Sequence, residues 1–169
     1  MTDGAKSRVF SRFARLITLE SKKAGGVTSA PALSAVIARA KMANMPKDNI
    51  ERAVAKGTSK DAGSLEQTIY EAYGPGGVAI IVEALTDNKN RTTQEIRHLF
   101  VKQGVELASP GSTLWAFTKQ GSAYMPNAPL VTVAGADEEK LNTLLEELDE
   151  HEDTQEIYTN AEGYENSRD

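Results

Sequence analysis

The apolar residues of this chain first change period across the segment Gly57–Ser64 (GTSKDAGS). Upstream they recur at helical spacing. Val9, Phe10, Phe13, Leu16 and Ile17 fall within an arc of about 120° on a helix that advances about 100° per residue. Leu33, Val36, Ile37 and Ala40 form a second stripe, and Ile50, Ala53 and Val54 a third. Downstream, Leu65 to Tyr73 alternates, and Val78 to Leu85 is an apolar run of strand length. A small, polar, aperiodic stretch between two different periods reads as a linker. The longest unbroken apolar run, Val78 to Val82, is far short of the roughly 20 residues a membrane span needs.

Turn and cap residues set the boundaries. A first helix is expected from Lys6 to Lys23, stopped by Gly25-Gly26. A second starts with Ser29 as N-cap and Pro31 in its first turn, and ends near Asn44. A third begins at Pro46 and stops at Gly57. Gly74-Pro75-Gly76-Gly77 is a turn between two strands. Thr92 to Gln103 is a helix with Ile96, Leu99 and Phe100 inward; Thr113–Phe117 and Leu130–Val133 are strands. Asp137–Glu150 is an acidic helix burying Leu141, Leu144, Leu145 and Leu148, and Asp153–Tyr158 is a last strand before a frayed tail from Gly163. The expectation is an α+β protein. A three-helix domain (1–60) and a linker (61–64) precede an α/β sandwich domain (65–162) with a mainly antiparallel sheet.

Charge follows the same division. The 169 residues carry a net −5, but the average conceals a split. Residues 1–60 hold twelve Lys/Arg against four Asp/Glu, a balance of +8, and the remainder holds seven against twenty, a balance of −13. A basic third of a chain points to a polyanion, or to attraction between the two ends. Arg8, Arg12 and Arg15 share one face of the first helix, with Lys22 on the same arc. Asn49, Arg52 and Lys56 share one face of the third, opposite Ile50 and Val54. Such rows can follow a phosphate backbone, fixing position without specifying sequence. A solubilising face is the alternative. In Asp87–Thr92, Asn90 or Thr92 can cap a helix whose free N–H groups attract anions, with Lys89 and Arg91 beside them. Capping alone is the plainer reading.

Signals for catalysis are missing. Without cysteine there is no disulfide, thiolate metal site or cysteine nucleophile, which fits a reducing compartment. His98 and His151 stand in no metal-ligand spacing. The carboxylates of 146–153 read as a solvated helix face. There is no G-x-S-x-G, Walker loop or G-x-G-x-x-G. No catalytic residue, metal, cofactor or small-molecule substrate is expected. The first 23 residues are amphipathic and poor in acids, like a mitochondrial transit peptide. A folded basic helix in a cytoplasmic protein is the favoured reading, with a mitochondrial setting as the alternative.

Three stretches resemble the YebC/PmpR family of gene-expression regulators, which includes the mitochondrial translational activator of cytochrome c oxidase. They are AKMANMPKDNIERAVAKGT (40–58), YEAYGPGGVAIIVEALTDNKNRT (70–92) and QEIRHLF (94–100). Weaker echoes follow at GSTLWAF (111–117) and LLEELDEHEDTQEIYTNAE (144–162). The resemblance implies a three-helix domain followed by two α/β domains, one inserted in the other. Only twelve residues (118–129) stand where such a domain would be inserted, and a Ser-Lys-Trp-like opening segment is not seen. A shortened member is expected. The family is described as DNA-binding transcriptional regulators and as translation factors on ribosomal RNA. The resemblance implies contacts at Lys41, Lys47, Asn49, Arg52 and Lys56, and at Lys89, Asn90 and Arg91. The expected function is a nucleic-acid-binding regulator contacting ribosomal RNA or the ribosome. DNA-binding transcriptional regulation is one alternative. An interaction module using acidic helix 137–150 is another. Charge and spacing leave the oligomeric state open.

Overall fold

A computed structural model describes residues 2–60 and 63–164. Asp61 and Ala62 of the expected linker, and Glu165 onward in the expected tail, lie outside the described residues. Contacts divide the chain into two compact units, Met1–Glu66 and Gln67–Asp169.

The first unit is three helices: α1 (Asp3–Ala24), α2 (Pro31–Met42) and α3 (Lys47–Gly57). Thr2 caps α1, its hydroxyl oxygen accepting from Ala5 N–H at 3.1 Å. At the other end Gly25 turns left-handed (φ +62°), and the Gly26 N–H reaches back to the Ser21 carbonyl at 2.9 Å. The expected Ser29 cap is not used. α2 starts at Pro31 behind Ala30, which makes no side-chain cap bond. Proline in the first turn has no N–H to satisfy, so the need for a cap is smaller. Ile17, Leu33, Ala40, Met45, Ile50 and Ala53 form the core, with Phe10, Phe13, Val36, Ile37 and Val54 packed on it.

Between α1 and α3 the contact is polar and close. The Thr18 hydroxyl lies 3.1 Å from the Ala53 carbonyl, and Ser21 Oγ donates to the Val54 carbonyl at 2.6 Å. Gly57 makes this approach possible. A Cβ there would stand 2.6 Å from Ser21 Cβ and 2.7 Å from the Thr18 carbonyl oxygen.

The second unit contains β1 (Glu66–Tyr73), β2 (Ala79–Thr86), α4 (Lys89–Lys102), β3 (Phe117–Gln120), β4 (Ala123–Pro126), α5 (Gly135–Glu150) and β5 (Thr154–Thr159). The sheet order is β1-β2-β5, with β2 antiparallel to β5 from Ile80↔Thr159 to Ala84↔Thr154. The turn at Gly74–Gly77 is too short for a parallel crossover, so β1 and β2 form a hairpin. Alternation sends Ile80, Val82 and Ala84 into a core with Ile96 and Phe100 of α4 and Leu141, Leu144 and Leu148 of α5. Ala79 and Ile81 face the other way, against Phe117, Tyr124 and Tyr158. Those rings meet edge to face, with centroids 6.4 and 5.3 Å apart. The α+β expectation is met: helices cover one sheet face and the β3–β4 hairpin part of the other.

Four stretches differ from the local expectations. Residues 113–117 are not a strand, because Leu114–Ala116 form a 3-10 turn and pairing begins only at Phe117. Residues 130–133 make just one parallel bridge, Val131 to Ala161. The stretch 118–129 holds most of a hairpin, β3 pairing with β4 from Phe117↔Pro126 to Gln120↔Ala123. Tyr164, placed in the frayed tail, packs on the core and donates its hydroxyl to Asn142 Oδ1. Among the described residues no helix is long and apolar enough to cross a membrane.

Candidate nucleic-acid interface

The α1–α3 seam fixes how α3 is rotated, and that decides which cations reach water. With Ile50, Ala53 and Gly57 inward, Arg52 and Lys56 are exposed on the outer face. Arg52 donates to Asn49 Oδ1, so the structure brings two residues of the expected row together. Lys41 at the end of α2 and Lys47 at the start of α3 are exposed as well. Lys47 lies 3.7 Å from Glu51, both well solvated, a pair of little energetic weight.

On α1 the expected row divides. Arg12 is buried, with 8% of its surface accessible, whereas Arg8 and Arg15 are half-buried. α1 packs against both other helices, so its covered arc is wider than its apolar stripe and takes in Arg12. Lys22 is exposed, and its ammonium donates to the Gly63 carbonyl at 2.9 Å.

In the second unit the loop before α4 works mainly as a cap and brace. The cap is Asn88, rather than Asn90 or Thr92; its Oδ1 accepts from Arg91 N–H at 3.1 Å. Thr92 is buried, and its hydroxyl donates to Asp153 Oδ2 at 2.6 Å while standing 2.7 Å from Thr86 Oγ1. Arg91 reaches the same Asp153 oxygen at 2.9 Å, with Asp87 and Glu95 each at 3.5 Å. The hydrogen bond and charge of Asp153, helped by Asp87 and Glu95, raise the Arg91 pKa. Of the expected anion contacts here, Arg91 is therefore already compensated by carboxylates. Lys89 and Asn90 stay exposed in the first turn of α4.

Sequence spacing did not reveal the trio Glu95, His151 and Asp153, whose ligand-type atoms lie within 4.8 Å of one another. His151 Nδ1 accepts from Asp153 N–H at 3.2 Å, and Nε2 stands 2.5 Å from Glu95 Oε2. An accepting Nδ1 leaves the ring proton on Nε2, donated to Glu95. With Asp153 also held by Arg91 and Thr92, the trio is a hydrogen-bonded brace between α4 and the start of β5. The Asn88-x-x-Arg91 spacing is the one local signal for this brace in the sequence, and the expectation of Asn90 or Thr92 as the cap passed it over.

Known proteins give this arrangement a context. Residues 1–60 match the family model described as TACO1/YebC protein N-terminal domain, and residues 65–129 match TACO1/YebC second and third domain. A "probable transcriptional regulatory protein" of Carboxydothermus hydrogenoformans is 41% identical over 174 residues, covering 99% of this chain and 70% of its own length. The chain belongs to the TACO1/YebC family. A similarly named protein of Koribacter versatilis is 39% identical over 168 residues, 96% of this chain and 66% of that one. One from Thermotoga maritima is 48% identical over 121 residues, 70% of this chain and 48% of the relative. The chain thus spans about half to seven tenths of the curated relatives it matches. The crystal structure of a conserved hypothetical protein from Aquifex aeolicus shares the fold. Its TM-score is 0.81 at 27% identity, covering 95% of this chain and 91% of the other.

Proposed function

We propose that this protein is a non-catalytic regulator of gene expression that binds structured RNA of the ribosome through its helical unit. The observation that carries the reading is the exposed set Lys41, Lys47, Arg52 and Lys56 around α2 and α3, within a segment balanced at +8. Phosphate contacts by such cations give affinity without sequence reading, and structured RNA is recognised largely by shape and backbone. Arg8, Arg15, Lys22, Lys89 and Asn90 are secondary contacts. The names of the relatives favour a second reading, binding to duplex DNA as a transcriptional regulator. Against it, the exposed N-terminal half of α3 carries Asp48 and Glu51. Those carboxylates stand where a recognition helix meets base edges between two phosphate rows.

Sedimentation of the full chain with ribosomes at low salt tests the proposal. Co-sedimentation is expected, with loss in Arg52→Glu/Lys56→Glu at unchanged circular dichroism. A sequence-specific gel shift that survives competitor DNA, with no ribosome association, would establish the second reading instead.

A further inference from the structure

Met42 is 85% exposed, the most exposed large apolar side chain among the described residues. It is held there by the corner between α2 and α3. Asn44 adopts φ +64°, the sole non-glycine residue described with positive φ. That turn is closed by Ala43 N–H to the Arg39 carbonyl at 3.1 Å, Asn44 N–H to Lys41 at 3.0 Å and Met45 N–H to Ala40 at 3.0 Å. Met45 then buries itself, 5% exposed, beside Ile50 and Ala53. One methionine of the MANM motif anchors the corner, and the other is presented to solvent on it.

The chemistry around Met42 narrows what can cover it. From Ser21 to Lys47 there is no Asp or Glu, and there are five Lys or Arg. Lys41 precedes Met42 directly, Arg39 lies one helical turn back, and Lys47 opens α3. Arg39 is exposed and its guanidinium stands 5.7 Å from the Phe13 ring centroid. A partner surface here must be anionic at the cations and apolar between them. Nucleic acid supplies both, phosphates on the backbone and flat faces on the bases. A methionine thioether is polarisable, unbranched and adaptable against aromatic faces. Apolar side chains set among cations are used as wedges between bases.

We propose that Met42 is a base-contacting wedge: the neighbouring cations hold RNA phosphates while its side chain lies against the face of an unpaired base. This rests on the RNA-binding reading above and adds a contact to a base, which phosphate binding alone does not provide. Unpaired loop bases are the accessible ones in RNA, since the A-form helix hides its major-groove edges.

The test is fluorescence anisotropy with the full chain and two labelled probes, an RNA hairpin with an unpaired purine loop and the same stem closed as a blunt duplex. Met42→Ala is expected to weaken loop binding about tenfold, within the range of a lost base contact, and to leave the blunt stem unchanged. Met42→Leu is expected to retain the loop preference. The slope of log affinity against log salt should be the same in wild type and Met42→Ala, whereas Lys41→Gln should reduce it by about 0.7 on both probes. Equal loop binding by wild type and Met42→Ala would overturn the wedge and leave RNA binding intact. Failure of the wild type to bind either RNA would remove the RNA-binding reading itself. With the same stem sequence run as a labelled DNA duplex for a third probe, a Met42 effect seen only there would overturn the assignment to RNA.

Discussion

Glu83 and Glu71 are two carboxylates of one sheet whose surroundings push them in opposite directions. Glu83 of β2 is paired in register with Glu156 of β5 and is half-buried. Burial, and then the charge of Glu156, push its carboxyl from 4.5 up to about 7, with Lys119 pulling the other way. A carboxyl raised in the folded state contributes fully below its unfolded pKa, and that contribution fades as pH rises through the folded value. Stability is therefore expected to fall between about pH 4.5 and 7. Glu83→Gln should flatten that part of a urea-denaturation profile. At pH 8 it should stabilise by on the order of 1–2 kcal/mol, discounted for partial exposure. Glu71 shows the reverse. Burial raises it, but the Thr113 hydroxyl and the Gly111 and Thr113 N–H groups hold it below the ordinary value. Its contribution is present at neutral pH and lost only in acid.

At the scale of elements, the sharpest constraint is the approach of α3 to α1. Gly57→Ala puts a methyl group 2.6 Å from Ser21 Cβ. α3 must back away, lengthening the Ser21 bond to Val54 and the Thr18 bond to Ala53. A loss of about 1–3 kcal/mol is expected, read as a lowered melting temperature in calorimetry. Ser21→Gly in the same chain should recover part of it, because it removes two of the three atoms the new methyl meets and leaves only the Thr18 carbonyl oxygen. The helices themselves were legible in the sequence, since each repeats its apolar stripe over several turns. The β3–β4 hairpin was not. Phe117 and Tyr124 are its two buried side chains, one per four-residue strand, too few to establish an alternation. Leu130–Val133 has strand-forming residues yet finds one bridge, and side-chain type alone does not supply a neighbour. Of the expected row on α3, the exposure of Arg52 and Lys56 was legible because outer-face spacing on an amphipathic helix survives packing, whereas Lys41 and Lys47 rested on the resemblance alone. Arg12 was not legible, because its burial depends on two other helices. Nor was the bond from Arg91 to Asp153, two residues 62 positions apart in the chain.

For the whole molecule, net charge is a poor guide to binding. A chain of −5 should repel RNA, yet four exposed cations gathered on one unit can release counterions locally. The expected slope of log affinity against log salt is about −3 for contacts at Lys41, Lys47, Arg52 and Lys56, taking about 0.7 per contact. A slope near zero in a salt titration would show that these cations carry no phosphate contact. The strand order β1-β2-β5 has another consequence, in the timing of synthesis. β2 is the middle strand, and one of its two partners, β5, is translated only after residues 87–153. The helical unit needs nothing from beyond its own segment to complete its core. As the chain leaves the ribosome, the basic unit can therefore be folded and charged for binding while the sheet still waits for its last strand.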